Sequence, residues 1–147
     1  MQFQQARTRS LTVPVRHVID AEAGHVMVEV SGDVTASEIF GTYAAIASDP
    51  ALRPNLGVLA DCRTVTSVPS FSELGTVACA SAQAASAIRP TRAAVVVPTT
   101  WLFGIARQFA ALAEMNGVRV VPFYAEADAK RWLTTDGEES IPATADR

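Results

Sequence analysis

Three short apolar runs, separated by helix signals, constrain the fold of this chain most. The runs cover residues 56–60, 93–97 and 118–123 and are apolar at nearly every position. Strands that are buried on both faces have this composition, whereas strands with one solvent-exposed face alternate apolar and polar residues. Strands that alternate with helices form a largely parallel sheet with right-handed crossovers. The pattern therefore predicts an α/β fold.

An antiparallel hairpin precedes this series. Residues 13–20 and 25–31 alternate apolar and polar side chains on either side of a four-residue turn, as hairpin strands do. If Asp20 pairs with His25, the apolar side chains of both strands lie on one face of the hairpin. On the other face this register places opposite charges in a cross-strand pair, which stabilises the hairpin. The predicted pairs are Asp20 with His25, Ile19 with Val26, His17 with Val28, Val15 with Val30 and Arg16 with Glu29.

Helix starts are marked by capping residues. Thr35 with Glu38, and Ser70 with Glu73, form capping boxes, and Thr99 or Thr100 can cap a third helix. The second of these helices is mostly Ala, Ser and Gly, which allows close packing. The predicted order is ββαβαβαβα, with strands at 13–20, 25–31, 56–61, 91–97 and 118–124 and helices at 35–48, 70–88, 99–116 and 126–133.

Length and composition limit the class of protein. A chain of 147 residues predicts one domain, here residues 11–134, with a flexible segment 1–10 and a polar, disordered tail 135–147. A net charge of −3 with dispersed arginines predicts no binding to nucleic acid. No apolar stretch is long enough for a signal-peptide core or a membrane span, so we expect a cytoplasmic protein. Two cysteines without CxxC spacing indicate neither a disulfide nor a zinc site, and no cofactor is predicted.

The segments 28–35 and 126–133, together with the strand ending at Asp61, resemble the STAS superfamily, which includes anti-sigma-factor antagonists and sulfate-transporter tails. The chain looks like bacterial stand-alone STAS proteins, which are often grouped with the CRAL-TRIO lipid-binding fold. The resemblance implies a SpoIIAA-like fold with helices mainly on one sheet face. In antagonists a serine at the start of the second helix is phosphorylated. Here Phe71 takes that position, and the flanking Ser70 and Ser72 remain candidates for phosphorylation or for helix capping.

Ligands of open parallel sheets usually bind beyond the carboxyl ends of the strands. Each residue there also has a structural alternative: Asp61 can cap a turn, Cys62 can be a small buried residue and Thr99 can cap a helix. Cys62 as a nucleophile would need a base, but both histidines, His17 and His25, lie on the hairpin. His17 is predicted on the apolar face, as a satisfied core or interface histidine. The candidate pocket residues are Asp33, Asp61, Cys62, Arg63, Thr99, Thr100, Trp101 and Tyr124.

The two-sided apolar strands require a cover for the sheet face that the crossover helices leave open. The alternatives are the terminal segments, a second copy of the chain, or an apolar ligand. Trp101 and Phe103 either extend such an apolar surface or add core contacts. Our leading hypothesis is a non-enzymatic interaction or regulatory module that forms a homodimer or binds another protein. The alternative is a carrier of a small apolar or lipid-like molecule, and an enzyme using Cys62 comes third.

Overall fold

The computed structural model describes residues 15–70, 72–77, 79, 92–115 and 117–134. The predicted flexible segment 1–10, the predicted tail 135–147, Phe71 and most of the predicted second helix lie outside the described residues. The predicted domain boundaries therefore stay a prediction.

The described residues form five strands and three helices, and residues 72–77 add a further helical segment. The elements follow one another in the predicted order. They are β1 (Val15–Asp20), β2 (His25–Asp33), α1 (Ala36–Ala47), β3 (Gly57–Ser67), β4 (Ala93–Val96), α2 (Thr100–Met115), β5 (Val120–Phe123) and α3 (Glu126–Thr134). None of the helices in these ranges has the length and apolarity needed to cross a membrane.

The five strands form one sheet in the order β1-β2-β3-β4-β5. β1 pairs antiparallel with β2, and the other neighbours are parallel, as predicted. The hairpin register is also confirmed, with Arg16 opposite Glu29 and joined to it by an ion pair. Gly24 closes the turn at a φ of 84°, a conformation that side chains with a Cβ rarely adopt.

β3 is longer than the sequence predicted. The apolar run bounded by turn signals predicted that the strand ends at Asp61, but β3 continues through Arg63 to Ser67. Both side chains lie on the same face, where each satisfies the other, and the β-branched residues 64–66 favour continued pairing with the end of β2. Asp61 pairs with Val96, the last residue of β4, so β3 extends beyond β4 and β5 with β2 alone.

The predicted capping boxes are confirmed. Glu38 N–H donates to Thr35 Oγ1 at 3.2 Å, and Thr35 N–H donates to Glu38 Oε1 at 2.9 Å. Ser70 and Glu73 exchange the same two bonds, at 2.9 and 3.3 Å. At the start of α2, Leu102 N–H donates to Thr99 Oγ1 at 3.1 Å, so Thr99 is the cap.

The two faces of the sheet have different covers. Side chains alternate along a strand, and the face that carries Val28, Ala60 and Val95 lies beneath α1, the segment 72–77 and α2. The opposite face carries Leu59, Ala94, Val96 and Phe123, all less than 1% exposed.

The C-terminal helix α3 covers this second face over β3, β4 and β5. The Trp132 ring lies 5.8 Å from the Phe123 ring, centroid to centroid. Leu133 comes so near the backbone of Gly57 that a Cβ at that residue would stand 2.9 Å from Leu133 Cδ2. The cover observed over these three strands is α3, a helix of the predicted domain, whereas the predicted terminal segments 1–10 and 135–147 lie outside the described residues.

Candidate functional site

The sheet face that carries Val28, Ala60 and Val95 is called the first face. An apolar cavity of about 220 Å³ lies between this face and the helices that cover it. The strands form its floor and the helices its roof. The lining is apolar side chains from every strand and from three helical segments, among them Val28, Val58, Ala60, Ala93, Val95, Ile39, Ile46, Leu74, Val77, Leu102, Ala106 and Phe109.

Small side chains at the middle of the floor and in the roof create this space. Ala60 and Ala93 lie on the central strands, and Ala106 lies on α2, and all three line the cavity. Protein cores are otherwise close-packed, and the surrounding backbone collapses only partly around a small residue. A leucine or isoleucine at these positions would occupy the volume that the alanines leave open.

The cavity lining offers little polar chemistry. Among the described residues it includes no Asp, Glu, Lys, Arg or His. The hydroxyl of Thr42 donates to the Glu38 carbonyl oxygen at 2.9 Å, so its proton is already engaged. Burial raises the pKa of the Cys62 thiol to about 12, and the charge of Asp61 adds to the rise. The thiol is therefore neutral at physiological pH.

Two of the predicted pocket residues form an ion-pair cluster with Glu126, but on the second face of the sheet. Arg63 Nη2 lies 2.7 Å from Asp61 Oδ2 and 2.7 Å from Glu126 Oε1. Lys130 Nζ lies 2.9 Å from the other oxygen of Glu126. The cluster ties the middle of β3 to the first turn of α3.

These contacts shift the pKa values of the cluster in the stabilising direction. Hydrogen bonds from Arg63 lower the pKa of the Asp61 carboxyl. Lys130, followed by Arg63, lowers the pKa of Glu126, and the pKa of the Arg63 guanidinium rises beside Asp61. All of the charges in this cluster are compensated by each other.

The remaining predicted pocket residues do not converge on one site. Asp33 accepts a hydrogen bond from the Ser67 hydroxyl, and Thr99 serves as the α2 cap with Thr100 as the first residue of that helix. Trp101 is 60% exposed. Tyr124 stacks on Phe103 with a centroid distance of 4.5 Å.

Phe103 itself is 1% exposed, so its core interpretation is confirmed. Whether Asp33, Asp61, Arg63, Thr99, Thr100, Trp101 and Tyr124 bind a ligand stays a prediction. Cys62 is the predicted pocket residue that lines the cavity.

Ser70 and Ser72 lie together at the start of the helical segment 72–77. Their hydroxyl oxygens are 3.4 Å apart, and Ser70 is the residue whose hydroxyl caps the segment. Glu73 also accepts a hydrogen bond from the Ser70 hydroxyl at 3.2 Å. Capping thus accounts for Ser70, and phosphorylation of either serine stays a prediction.

His17 joins the edge of the sheet to the end of α1. Its Nε2 lies 3.0 Å from Asp49 Oδ2, and both side chains are half-buried. A hydrogen bond from the Ala51 N–H, followed by the one from His17, lowers the pKa of Asp49. The prediction that His17 is a satisfied histidine on the apolar face is confirmed, although the sequence did not reveal its partner.

The sequence also did not reveal the cavity. Its apolar stripes at helical spacing predict core residues, and such a stripe looks the same whether the space beneath it is filled or empty. The available signal was the small side chains Ala60 and Ala93 on the central strands. In the described residues, no group of three or more His, Cys, Asp or Glu is placed to hold a metal ion.

The fold is a mixed five-stranded sheet in sequential order, with an antiparallel first hairpin and crossover helices on one face, and it is SpoIIAA-like. A solved structure with this fold is an uncharacterised protein of the DUF3478 family from Shewanella loihica PV-4. It is similar to this chain with a TM-score of 0.56 and 12% sequence identity, over 81% of this chain and 91% of that chain. No protein-family model and no curated protein matches the sequence. The likeness confirms the predicted resemblance at the level of the fold.

Proposed function

We propose that the protein is a non-enzymatic binding module that takes a small apolar molecule into the cavity beneath α1 and α2. The observation that carries this proposal is an apolar space of about 220 Å³ with no ionisable carboxylate, amine, guanidinium or imidazole in its described lining. Dry apolar cavities of about 150 Å³ bind benzene. A cavity of this size and lining therefore suits a small hydrocarbon-like ligand.

The energetic cost of the empty cavity supports occupancy. Without a ligand, the apolar side chains that line it lack packing partners or meet solvent, and both cost free energy. Domains of ordinary size are stable by only about 5–15 kcal/mol in total. A ligand that fills the space restores dispersion contacts to its lining and stabilises the folded state by mass action.

The composition of the cavity favours binding over catalysis. General acid–base catalysis needs a titratable group within hydrogen-bond reach of the substrate, and in the described lining the residues of titratable type are Cys62 and Tyr43. A thiol whose pKa is about 12 is a poor nucleophile at neutral pH. The role of Cys62 in this proposal is to contribute apolar surface.

A protein-interaction role, including the predicted homodimer, has less support. The homodimer hypothesis rested on an uncovered second sheet face, and α3 covers that face over β3, β4 and β5. The part of this face left on the hairpin carries Val18, which is 65% exposed, beside the charged pair of Arg16 and Glu29. Single exposed apolar residues of this kind are normal on monomers. The homodimer stays a prediction that light scattering of the purified protein tests.

The test is an NMR titration of the ¹⁵N-labelled protein with n-propylbenzene. We expect saturable shifts that are largest at cavity-lining residues, with a dissociation constant below about 1 mM, which corresponds to about −4 kcal/mol. The variant Val95→Phe places a ring in the cavity from the central strand β4. It should abolish the shifts.

Val18→Phe is the matched control, because it makes the same substitution at an exposed position on the opposite sheet face. It should bind n-propylbenzene like the wild type. If Val95→Phe does not fold, Ala60→Leu, a smaller change on the same cavity floor, replaces it. Absence of saturable binding to the wild type, or equal binding to the wild type and a folded cavity-filled variant, would refute the proposal.

A further inference from the structure

We infer that the ligand of this cavity is uncharged and of the size of one ring with a short alkyl chain, and that the cavity rejects carboxylates such as fatty-acid anions. This inference rests on the proposed function. It narrows the class of ligand from any apolar or lipid-like molecule to a neutral one, and three features of the described residues support it.

The first feature is the interior lining. A charge moved into it would lose its hydration and meet no opposite charge, which costs several kcal/mol. The Thr42 hydroxyl already donates a hydrogen bond to the Glu38 carbonyl oxygen at 2.9 Å. Cys62 offers a neutral thiol, which is a weak hydrogen-bond donor. The lining also includes the phenol of Tyr43 but no cation, so a carboxylate meets no opposite charge among the described residues of the cavity.

The second feature is a set of acidic residues at the end of β2 and in the first turns of α1 and of the helical segment 72–77. Three acidic residues, Asp33, Glu38 and Glu73, each directly precede a residue of the lining. The two capping boxes hold Glu38 and Glu73 in place through hydrogen bonds of 2.9 Å from the N–H groups of Thr35 and Ser70. An anionic headgroup beside these residues would meet fixed negative charge, and like charges at short range repel.

The basic group nearest to these residues along β3 does not compensate them. Arg63 lies on the second face, where Asp61 and Glu126 both hold its guanidinium at 2.7 Å. At the opposite end of α1, the imidazole of His17 is likewise paired with a carboxylate, that of Asp49. Both side chains are therefore already engaged by carboxylates.

The third feature is size. The cavity of about 220 Å³ exceeds the roughly 150 Å³ that holds benzene. The additional space accommodates a chain of a few carbon atoms, whereas a long acyl chain would not fit. A nine-carbon molecule such as n-propylbenzene matches this volume, and it has an anionic counterpart of nearly equal shape, 3-phenylpropionate.

The experiment compares n-propylbenzene, 3-phenylpropan-1-ol and 3-phenylpropionate by NMR titration at pH 8 and low salt, where surface charges are least screened. We expect the two neutral probes to bind and 3-phenylpropionate to bind at least about ten-fold more weakly than either. Equal or tighter binding of 3-phenylpropionate would overturn the inference and leave the proposed function standing. Failure of all three probes would instead overturn the proposed function.

A pair of variants tests the acidic residues separately. Glu38→Gln combined with Glu73→Gln keeps the capping boxes, because glutamine makes the same bonds, and removes two charges. We expect binding of n-propylbenzene to be unchanged and binding of 3-phenylpropionate to strengthen about three-fold or more. Glu22→Gln, in the hairpin turn, removes a single charge from a residue outside the cavity lining and should leave both affinities unchanged. An unchanged affinity for 3-phenylpropionate in the double variant would show that these two charges do not repel anions.

Discussion

Cys62 shows how the environment of a single residue determines its chemistry. It lies in the middle of β3, half-buried, and its side chain lines the apolar cavity. The neighbouring Asp61 is held in an ion pair with Arg63 on the other sheet face. Burial and this nearby negative charge both disfavour the thiolate, so the pKa of Cys62 rises to about 12. Cys79, in contrast, is exposed.

Alkylation with iodoacetamide should therefore separate the two cysteines. At pH 8 we expect Cys79 to react about a hundred- to a thousand-fold faster than Cys62, because the thiolate is the reacting species. Mass spectrometry of peptides after timed quenching measures both rates in one sample, and in denaturant the rates should converge. Saturation with n-propylbenzene should slow Cys62 further and leave Cys79 unaffected. Equal rates in the folded protein would contradict this account of Cys62.

At the scale of the element, α1 combines a strong local start signal with a functional position. Its capping box is set by residues three positions apart, and its residues Ile39 and Ile46 form part of the cavity roof. The His17–Asp49 pair holds the other end of the helix against β1. Both ends of this part of the roof are thus fixed by named contacts.

Removing the cap should loosen that roof. Thr35→Ala leaves the N–H of Glu38 without its side-chain acceptor and should lower the free energy of unfolding by about 1 kcal/mol. Urea denaturation followed by circular dichroism measures the loss. Thr35→Ser retains the acceptor oxygen and should stay close to the wild type. A Thr35→Ala variant as stable as Thr35→Ser would show that the capping box does not stabilise α1.

At the scale of the whole molecule, α3 completes the fold by closing the second sheet face. Its residues Ala129 and Trp132 are buried, and Arg92 Nη2 donates to the Leu133 carbonyl oxygen at 3.1 Å. The guanidinium groups of Arg92 and Arg119 lie 5.1 and 5.6 Å from the centroid of the Trp132 ring. Trp132 is therefore the centre of the contact between α3 and the sheet.

The two tryptophans provide a matched comparison. Trp132 is 2% exposed and Trp101 is 60% exposed. Trp132→Ala should lower the free energy of unfolding by about 3–5 kcal/mol, whereas Trp101→Ala should change it by less than about 1 kcal/mol. Chemical denaturation gives both values, and light scattering shows whether loss of the α3 contact also causes association through the exposed second face. Equal destabilisation by the two substitutions would contradict the role assigned to α3.

The sequence by itself determined the features that depend on neighbours in the chain. The hairpin register follows from the alternation of its two strands, and the caps at Thr35 and Ser70 follow from the side chain and the amides of a single helical turn. The element order follows from the alternating hairpin, the three short apolar runs and the helical spacing between them. All of these interactions span few residues, so the pattern alone specifies them.

Only the tertiary structure decided the features that join distant segments. The sequence predicted that the third strand ends at Asp61. In the structure β3 continues to Ser67, because the end of β2 pairs with it. The sequence left the cover of the second face open, and α3 supplies it from beyond β5. The cavity depends on three alanines from β3, β4 and α2 meeting in one place. Hydrophobic patterning predicts that a side chain is buried. The volume left unfilled between the sheet and the helices depends on the distances between these elements, which are set only when the chain folds.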